Sequence, residues 1–147
     1  MGETGKILSV VSQSLIRFSE VDSMGVVWHG NYVKLLEDGR EAFGNTYGLG
    51  YLDVYKNGLF TPIVKLNLDY KNPLFYGDVA IIETKYIDNQ AAKICFEYTI
   101  TKKSDNQLII KAQSTQVFLD KNRQLILTVP PFFEEWKKQH GLAANKT

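Results

Sequence analysis

Two turns too short to hold a crossover helix set the strongest limit on what this chain can become. Asp88-Asn89-Gln90 and Ser104-Asp105-Asn106 join segments with strand character at Val79–Asp88, Ala91–Lys103 and Gln107–Asp120. Parallel neighbours need a long connection, so these three segments must pair as antiparallel hairpins. The middle one is the clearest. Ile94, Phe96, Tyr98 and Ile100 alternate with Lys93, Cys95, Glu97, Thr99 and Thr101, the two-residue period of a strand with one buried face. Phe60–Tyr70 reads as a fourth strand, and Ile7–Phe18, rich in β-branched residues and free of Gly and Pro, as a fifth.

Between the first strand and the rest the period changes. Tyr32, Leu35, Leu36, Gly39, Phe43 and Tyr47 recur at three- and four-residue spacings and predict a helix over Asn31–Tyr47, with Asn31 as a favoured N-cap and Gly48 and Gly50 as the stop. Pro130-Pro131 opens a short second helix, about 131–140, with Phe132, Phe133 and Trp136 on one side and Gly141 at its end. One long amphipathic helix and a run of hairpin-linked strands is an α+β pattern in which the sheet must wrap the helix to bury it. Gly39, on the apolar face, reads equally as a point of close sheet approach or as a small gap-filler. At 147 residues, without an evident linker or repeat, the chain is expected to form a single domain over 1–147, with its core at about 7–125.

A net charge of +1, with both signs scattered along the chain, gives no reason to expect a nucleic-acid partner or a membrane surface. The lone cysteine, Cys95, cannot form an internal disulfide and reads as a buried structural thiol. Met1–Lys6 is short and polar, unlike a secretory signal, and no apolar run approaches the ~20 residues of a membrane span. A soluble, cytoplasmic protein is the expectation.

The chemistry concentrates between Arg17 and Tyr32. Asp22 on a loop is followed by Gly25, an apolar Val26-Val27-Trp28, and His29 at the mouth of the long helix. The first N–H groups of a helix point outward and its dipole favours developing negative charge, so a carbonyl oxygen can be polarised there. A carboxylate on the adjacent loop can then attack the carbonyl or activate water.

The run Asp22-Ser23-Met24-Gly25-Val26-Val27-Trp28-His29-Gly30-Asn31-Tyr32 resembles the leading motif of the 4-hydroxybenzoyl-CoA thioesterase-like hotdog proteins. The resemblance continues through Glu37 and Arg40, Asp69-Tyr70-Lys71-Asn72-Pro73 and Gly77-Asp78, and departs at Trp28, where the family more often has Tyr. It implies the hotdog fold, an antiparallel five-stranded sheet wrapped around one long central helix with a short C-terminal helix. It also implies hydrolysis of an acyl-coenzyme A thioester, with Asp22 as the catalytic nucleophile or general base, the His29 backbone N–H as oxyanion donor, and Gly30 beside it. Val27, Trp28, Tyr32, Tyr47, Phe60 and Pro62 are expected to line the substrate pocket. No metal or cofactor is implied beyond the coenzyme A of the substrate, and the partner is a second copy of the chain, as a homodimer or dimer of dimers.

Plainer readings stand beside these. An isolated Asp after a strand is ordinarily a turn residue, and the intact motif is what favours catalysis. The His29 imidazole reads equally as a helix-start side chain bonded to backbone or a proton shuttle. Glu37 and Arg40, one helical turn apart, read as a structural ion pair. Lys65, Lys71, Lys102, Lys103, Lys111 and Arg123 are candidates for the coenzyme A phosphates, though scattered lysines more often solvate a sheet face. The alternatives to acyl-CoA hydrolysis are an acyl-acyl carrier protein thioesterase and a non-catalytic acyl-CoA binding protein.

Overall fold

A computed structural model describes residues 7–142; the polar Met1–Lys6 segment, read above as lacking a secretory signal, lies outside the described residues. The first strand, Ser9–Leu15 (β1), is shorter than expected. The Glu20 side chain accepts from the Arg17 N–H at 2.8 Å and curls Phe18–Glu20 into a 3-10 turn, ending the extended run.

The helix Asn31–Tyr47 (α1) has the predicted bounds and ends as predicted, with Gly48 in the left-handed region at φ 75° and its N–H bonded to the Gly44 carbonyl at 2.9 Å. Its start differs. Gly30 occupies the N-cap and Asn31 is the first helical residue, because the Asn31 amide donates to the Glu20 carbonyl at 2.9 Å and cannot turn back to cap α1. A short helix, Tyr51–Tyr55 (α2), was not legible in the periodicity; the Gly50 N–H bonded to the Asp53 carboxylate at 2.8 Å nucleates it.

Ile63–Tyr70 (β2), Val79–Ile87 (β3), Lys93–Lys102 (β4) and Leu108–Leu119 (β5) join β1 in one antiparallel sheet of order β1-β3-β4-β5-β2. Successive β3, β4 and β5 pair as hairpins, as the short turns require. A sixth, two-residue strand, Leu125–Ile126 (β6), adds to β5, where five strands were expected. The Asp120 carboxylate makes the difference: it accepts from the Asn122 and Gln124 N–H groups at 2.8 and 3.0 Å and folds the chain back.

The sheet's inner face carries Ala80, Ile82 and Tyr86 from β3, Ile94, Phe96, Tyr98 and Ile100 from β4, and Ile110, Ala112 and Phe118 from β5, all buried. From α1, Tyr32, Leu35, Leu36, Gly39 and Phe43 are buried. Cys95 sits on the opposite sheet face and is only half-buried, beside Asn89 and Thr115, which corrects the expected buried thiol: the strand period that buries Phe96 turns its neighbour outward. The helix Pro131–Gln139 (α3) closes the far end of the wrap, where the buried Trp136 indole donates to the Tyr47 carbonyl at 2.7 Å. Lys137, also buried on α3, pairs with Asp88 at 3.2 Å and donates to the Asn89 carbonyl, holding the β3–β4 turn. No helix among the described residues is long and apolar enough to cross a membrane.

Gly39 is where helix and sheet come closest. A Cβ there would collide with Thr84 Oγ1 and lie 2.9 Å from Ile82 Cγ2, both in the buried floor. Gly39→Ala is expected to cost about 1–3 kcal/mol through overpacking, against the gain in helix propensity, and urea unfolding measures it. An unchanged midpoint would mean the helix has room to lift.

Candidate active site

The segment between β1 and α1 folds as a small two-armed lobe. Val21 pairs antiparallel with Val27, the Asp22 N–H donates to the Val26 carbonyl at 2.8 Å, and the Trp28 N–H donates to the Glu20 carbonyl at 3.2 Å. At the tip, Gly25 takes φ 79°, which lets the chain reverse within a few residues. A second segment braces the lobe: the Val27 N–H donates to the Leu74 carbonyl at 2.9 Å, and the Tyr76 N–H to the Gly25 carbonyl at 2.9 Å.

Asp22 is exposed, and Oδ1 accepts from the Met24 and Val26 N–H groups at 2.8 and 3.2 Å. It is therefore a turn residue in geometry. Two donors on one oxygen also fix the carboxylate plane, while Oδ2 has no hydrogen-bond partner among the described residues. A fixed carboxylate with one free oxygen is what a positioned base or nucleophile requires.

His29 and Gly30 follow on the other arm. Their backbone N–H groups have no hydrogen-bond partner among the described residues, whereas the neighbouring Trp28 and Asn31 N–H groups are both engaged. The His29 carbonyl accepts from the Tyr70 hydroxyl at 3.2 Å, which orients the peptide from the β2 side. Two free amides at the start of α1 make an anion-polarising site. The His29 imidazole is exposed and packs on the Trp28 ring at 4.8 Å between centroids.

The six expected pocket residues do not converge. Trp28 is 55% exposed at the helix mouth. Val27 and Tyr32 belong to the buried core, and the Tyr32 hydroxyl accepts from the Leu74 N–H at 3.0 Å, while burial raises its pKa. Tyr47 lies at the opposite end of α1, packed on Phe43 and His140 with its hydroxyl on the Ser9 carbonyl, so it cannot meet a ligand at the helix mouth. A helix separates the two ends of its apolar stripe by its whole length, which the periodicity does not reveal.

Phe60 and Pro62 do line a cavity, a groove of about 1070 Å³ along the flank of α1, which Glu37, Arg40, Phe96 and Gln116 also line. Glu37 and Arg40 form the expected ion pair, at 3.9 Å with Glu37 largely exposed. The Arg40 guanidinium sits beside Tyr98, whose hydroxyl shares a 2.6 Å hydrogen bond with Ser114 and whose pKa burial pushes up to about 12. Among the basic candidates, Lys102 is 3.7 Å from Asp78, Lys103 donates to Gln13, and Arg123 lines the groove. Glu20, Tyr70, Leu74 and Tyr76 are the site-building residues missed in the sequence; the Asp69–Pro73 and Gly77-Asp78 stretches were the available signal. Among the described residues no cluster of His, Cys, Asp and Glu is arranged to hold a metal ion.

An antiparallel sheet wrapped around one long helix is the hotdog architecture of thioester hydrolases. Comparison with known proteins agrees. The model of the thioesterase-like superfamily matches residues 16–137. YneP of Bacillus subtilis, provisionally named an acyl-CoA thioesterase, is 35% identical over 121 residues, covering 82% of this chain and 87% of that protein. The chloroplastic acyl-acyl carrier protein thioesterase ATL3 of Arabidopsis thaliana is 29% identical over 105 residues, 71% of this chain, which thus spans about half (55%) of that relative. The solved 4-hydroxybenzoyl-CoA thioesterase of a Pseudomonas species superposes with a TM-score of 0.75 at 28% identity, over 87% of this chain and 98% of that one. The DHNA-CoA thioesterase of Staphylococcus aureus matches in fold, with a TM-score of 0.79 at 23% identity over 89% of each chain. The chain belongs to the thioesterase-like superfamily and is a thioester hydrolase.

Proposed function

We propose that the protein hydrolyses a fatty or aromatic acyl-CoA to the free acid and coenzyme A. The observation that carries this reading is the pair of unengaged amides at His29 and Gly30 on the same lobe as the immobilised carboxylate of Asp22. The thioester oxygen accepts from the His29 N–H, with Gly30 adjacent, and the positive end of α1 stabilises the charge that gathers on it. Asp22 either takes a proton from water as that water adds to the carbonyl carbon, or attacks the carbon itself to form an acyl–Asp22 anhydride; in both routes the C–S bond breaks and the thiolate leaves, and in the second water then cleaves the anhydride to release the acid and restore the carboxylate. This chemistry needs no metal or redox cofactor.

Similarity to YneP and to the Pseudomonas enzyme favours coenzyme A as the carrier, while similarity to ATL3 supports acyl carrier protein as the second reading. Thiol release from a panel of CoA esters, acetyl to palmitoyl plus benzoyl, set against the same acyl groups on acyl carrier protein, decides between them. A large preference for the protein-bound group overturns the coenzyme A reading, and tight binding without turnover across the panel overturns hydrolysis. The groove begins at Glu37, about 12 Å along α1 from His29 at 1.5 Å per residue, and is the proposed path of the acyl chain. Each methylene that enters it contributes up to about 0.8 kcal/mol, and an acyl chain must first cross the distance from the His29 amide, so kcat/KM is expected to change little among the shortest esters and to rise among the longer ones. A flat profile would place the acyl group elsewhere.

We propose a homodimer, paired into a dimer of dimers. β2 is an edge strand, and its bulge at Ile63/Lys65 leaves Val64 61% exposed, with Tyr70 exposed further along. Light scattering at micromolar concentration tests this, and a monomer would refute it. A cytoplasmic setting fits the unpaired thiol of Cys95.

A further inference from the structure

Gly30 has an ordinary right-handed helical backbone, φ −68° and ψ −22°, which any residue adopts. Nothing in the main chain therefore asks for glycine. What excludes a side chain is the Trp28 indole: a Cβ at Gly30 would overlap the six-membered ring, lying 2.7 Å from Cε3 and nearer still to Cζ3 and Cη2. The same ring packs on the His29 imidazole at 4.8 Å. The indole thus spans the two residues whose N–H groups are unengaged. It is 55% exposed, so burial in the core does not hold it there.

We propose that Trp28 is a positioning residue for the oxyanion donors, matched to Gly30: its ring, lying on the His29 side chain and against Gly30, restrains the His29–Gly30 peptide that carries the Gly30 N–H and shields one side of both amides from water. This rests on the hydrolase reading above and assigns Trp28 a place at the amides rather than in the acyl groove. A peptide at a helix start is restrained on one side only, and here the Tyr70 hydroxyl holds the His29 carbonyl while the indole restrains the opposite end of the same unit. Excluding water from an anion-polarising donor strengthens it and removes the reorganisation that solvent would demand as charge develops. The benefit belongs to the transition state, so it falls on kcat rather than on KM.

The test is a double-substitution cycle on the full chain, with the best CoA ester of the panel. Trp28→Ala is expected to lower kcat about tenfold with KM within about threefold, a fraction of the 10²–10³ lost when an oxyanion donor is removed outright. Trp28→Phe should retain most of the parent rate, since a flat ring still covers Gly30. Gly30→Ala, which displaces the ring, should fall as far as Trp28→Ala. In Trp28→Ala/Gly30→Ala the methyl has nothing to strike, so the double variant should be no slower than Trp28→Ala alone. Multiplicative losses in the double variant would show that ring and glycine act independently and would overturn the proposal, as would a parental kcat in Trp28→Ala.

Fluorescence gives a second reading. Trp136 is 3% exposed at the far end of α1 and Trp28 is the exposed indole, so a spectral change on adding a non-hydrolysable thioether analogue of the acyl-CoA reports Trp28. That change should vanish in Trp28→Phe. If it persists there at full size, the signal belongs to Trp136 and ligand binding at the amides does not touch Trp28, against the clamp. If the parent hydrolyses no ester, the hydrolase reading has failed first; an active parent with an unresponsive Trp28 sinks only the clamp.

Discussion

Asp22→Asn is expected to lower kcat about a thousandfold while leaving the fold within about 1 kcal/mol of the parent. General-base contributions run at roughly 10²–10⁴, and loss of a nucleophile costs at least as much. The structure makes Asn the better probe. Asp22 Oδ1 accepts from the Met24 and Val26 N–H groups, and an Asn side-chain carbonyl preserves both bonds, so the lobe keeps its shape while the second oxygen loses its basicity. Asp22→Ala removes the acceptor as well. Its rate loss mixes chemistry with a loosened loop, though the freed amides are exposed and the stability cost stays near ~1 kcal/mol. Thiol release and urea unfolding on both variants separate the two effects. An Asn variant keeping more than a tenth of the parental kcat would reduce Asp22 to the turn residue its hydrogen bonds already make it.

The second large effect lies in the core. Phe43→Ala should destabilise the protein by about 3–5 kcal/mol, the usual range for emptying an aromatic core site. Phe43 is fully buried, and its ring packs on Tyr47 at 4.8 Å, Phe96 at 5.0 Å, Tyr86 at 6.3 Å and Trp136 at 6.4 Å, so one side chain joins α1 to β3, β4 and α3. Rigid walls from several elements cannot collapse together into the void. Against a total of roughly 5–15 kcal/mol, such a loss removes a large part of the margin. Phe43→Leu fills most of the space and should cost well under half as much. A midpoint shift in urea equivalent to less than 1 kcal/mol for Phe43→Ala would mean that α1 is not the element around which the sheet closes.

The two predictions draw on parts of the chain that were legible to different degrees. α1 has the bounds its spacing predicted, because a stripe at three- and four-residue intervals has only one way to face a core and Gly48 supplies the left-handed stop. β4 buries Ile94, Phe96, Tyr98 and Ile100 as its alternation required. The N-cap of α1 and the sixth strand escaped, because both depend on side chains bonding to residues distant along the chain or folding a turn back: Asn31 to Glu20, and Asp120 to Asn122 and Gln124.

The pocket was the least legible part. Val27, Tyr32, Tyr47 and Phe60 are all apolar or aromatic, yet two are core, one closes the far end of the helix and one lines the flank groove. Residue type carries no information on which side of a wall a ring stands. Trp28 shows the converse: its departure from the more usual Tyr was visible, but its contact with Gly30 was not.

The proposed catalytic lobe divides along these lines. The sequence alone determined that a carboxylate, a tight turn and a helix start occur in that order, since local spacing dictates helix, strand and turn through short-range backbone chemistry. Only the tertiary structure decided that Asp22 has one oxygen tied and one free, that the His29 and Gly30 amides stay unengaged, and that an indole lies against Gly30. Those outcomes depend on distances between groups that the chain brings together through β2, the 74–76 segment and α1, and such distances are set by packing rather than by order along the chain.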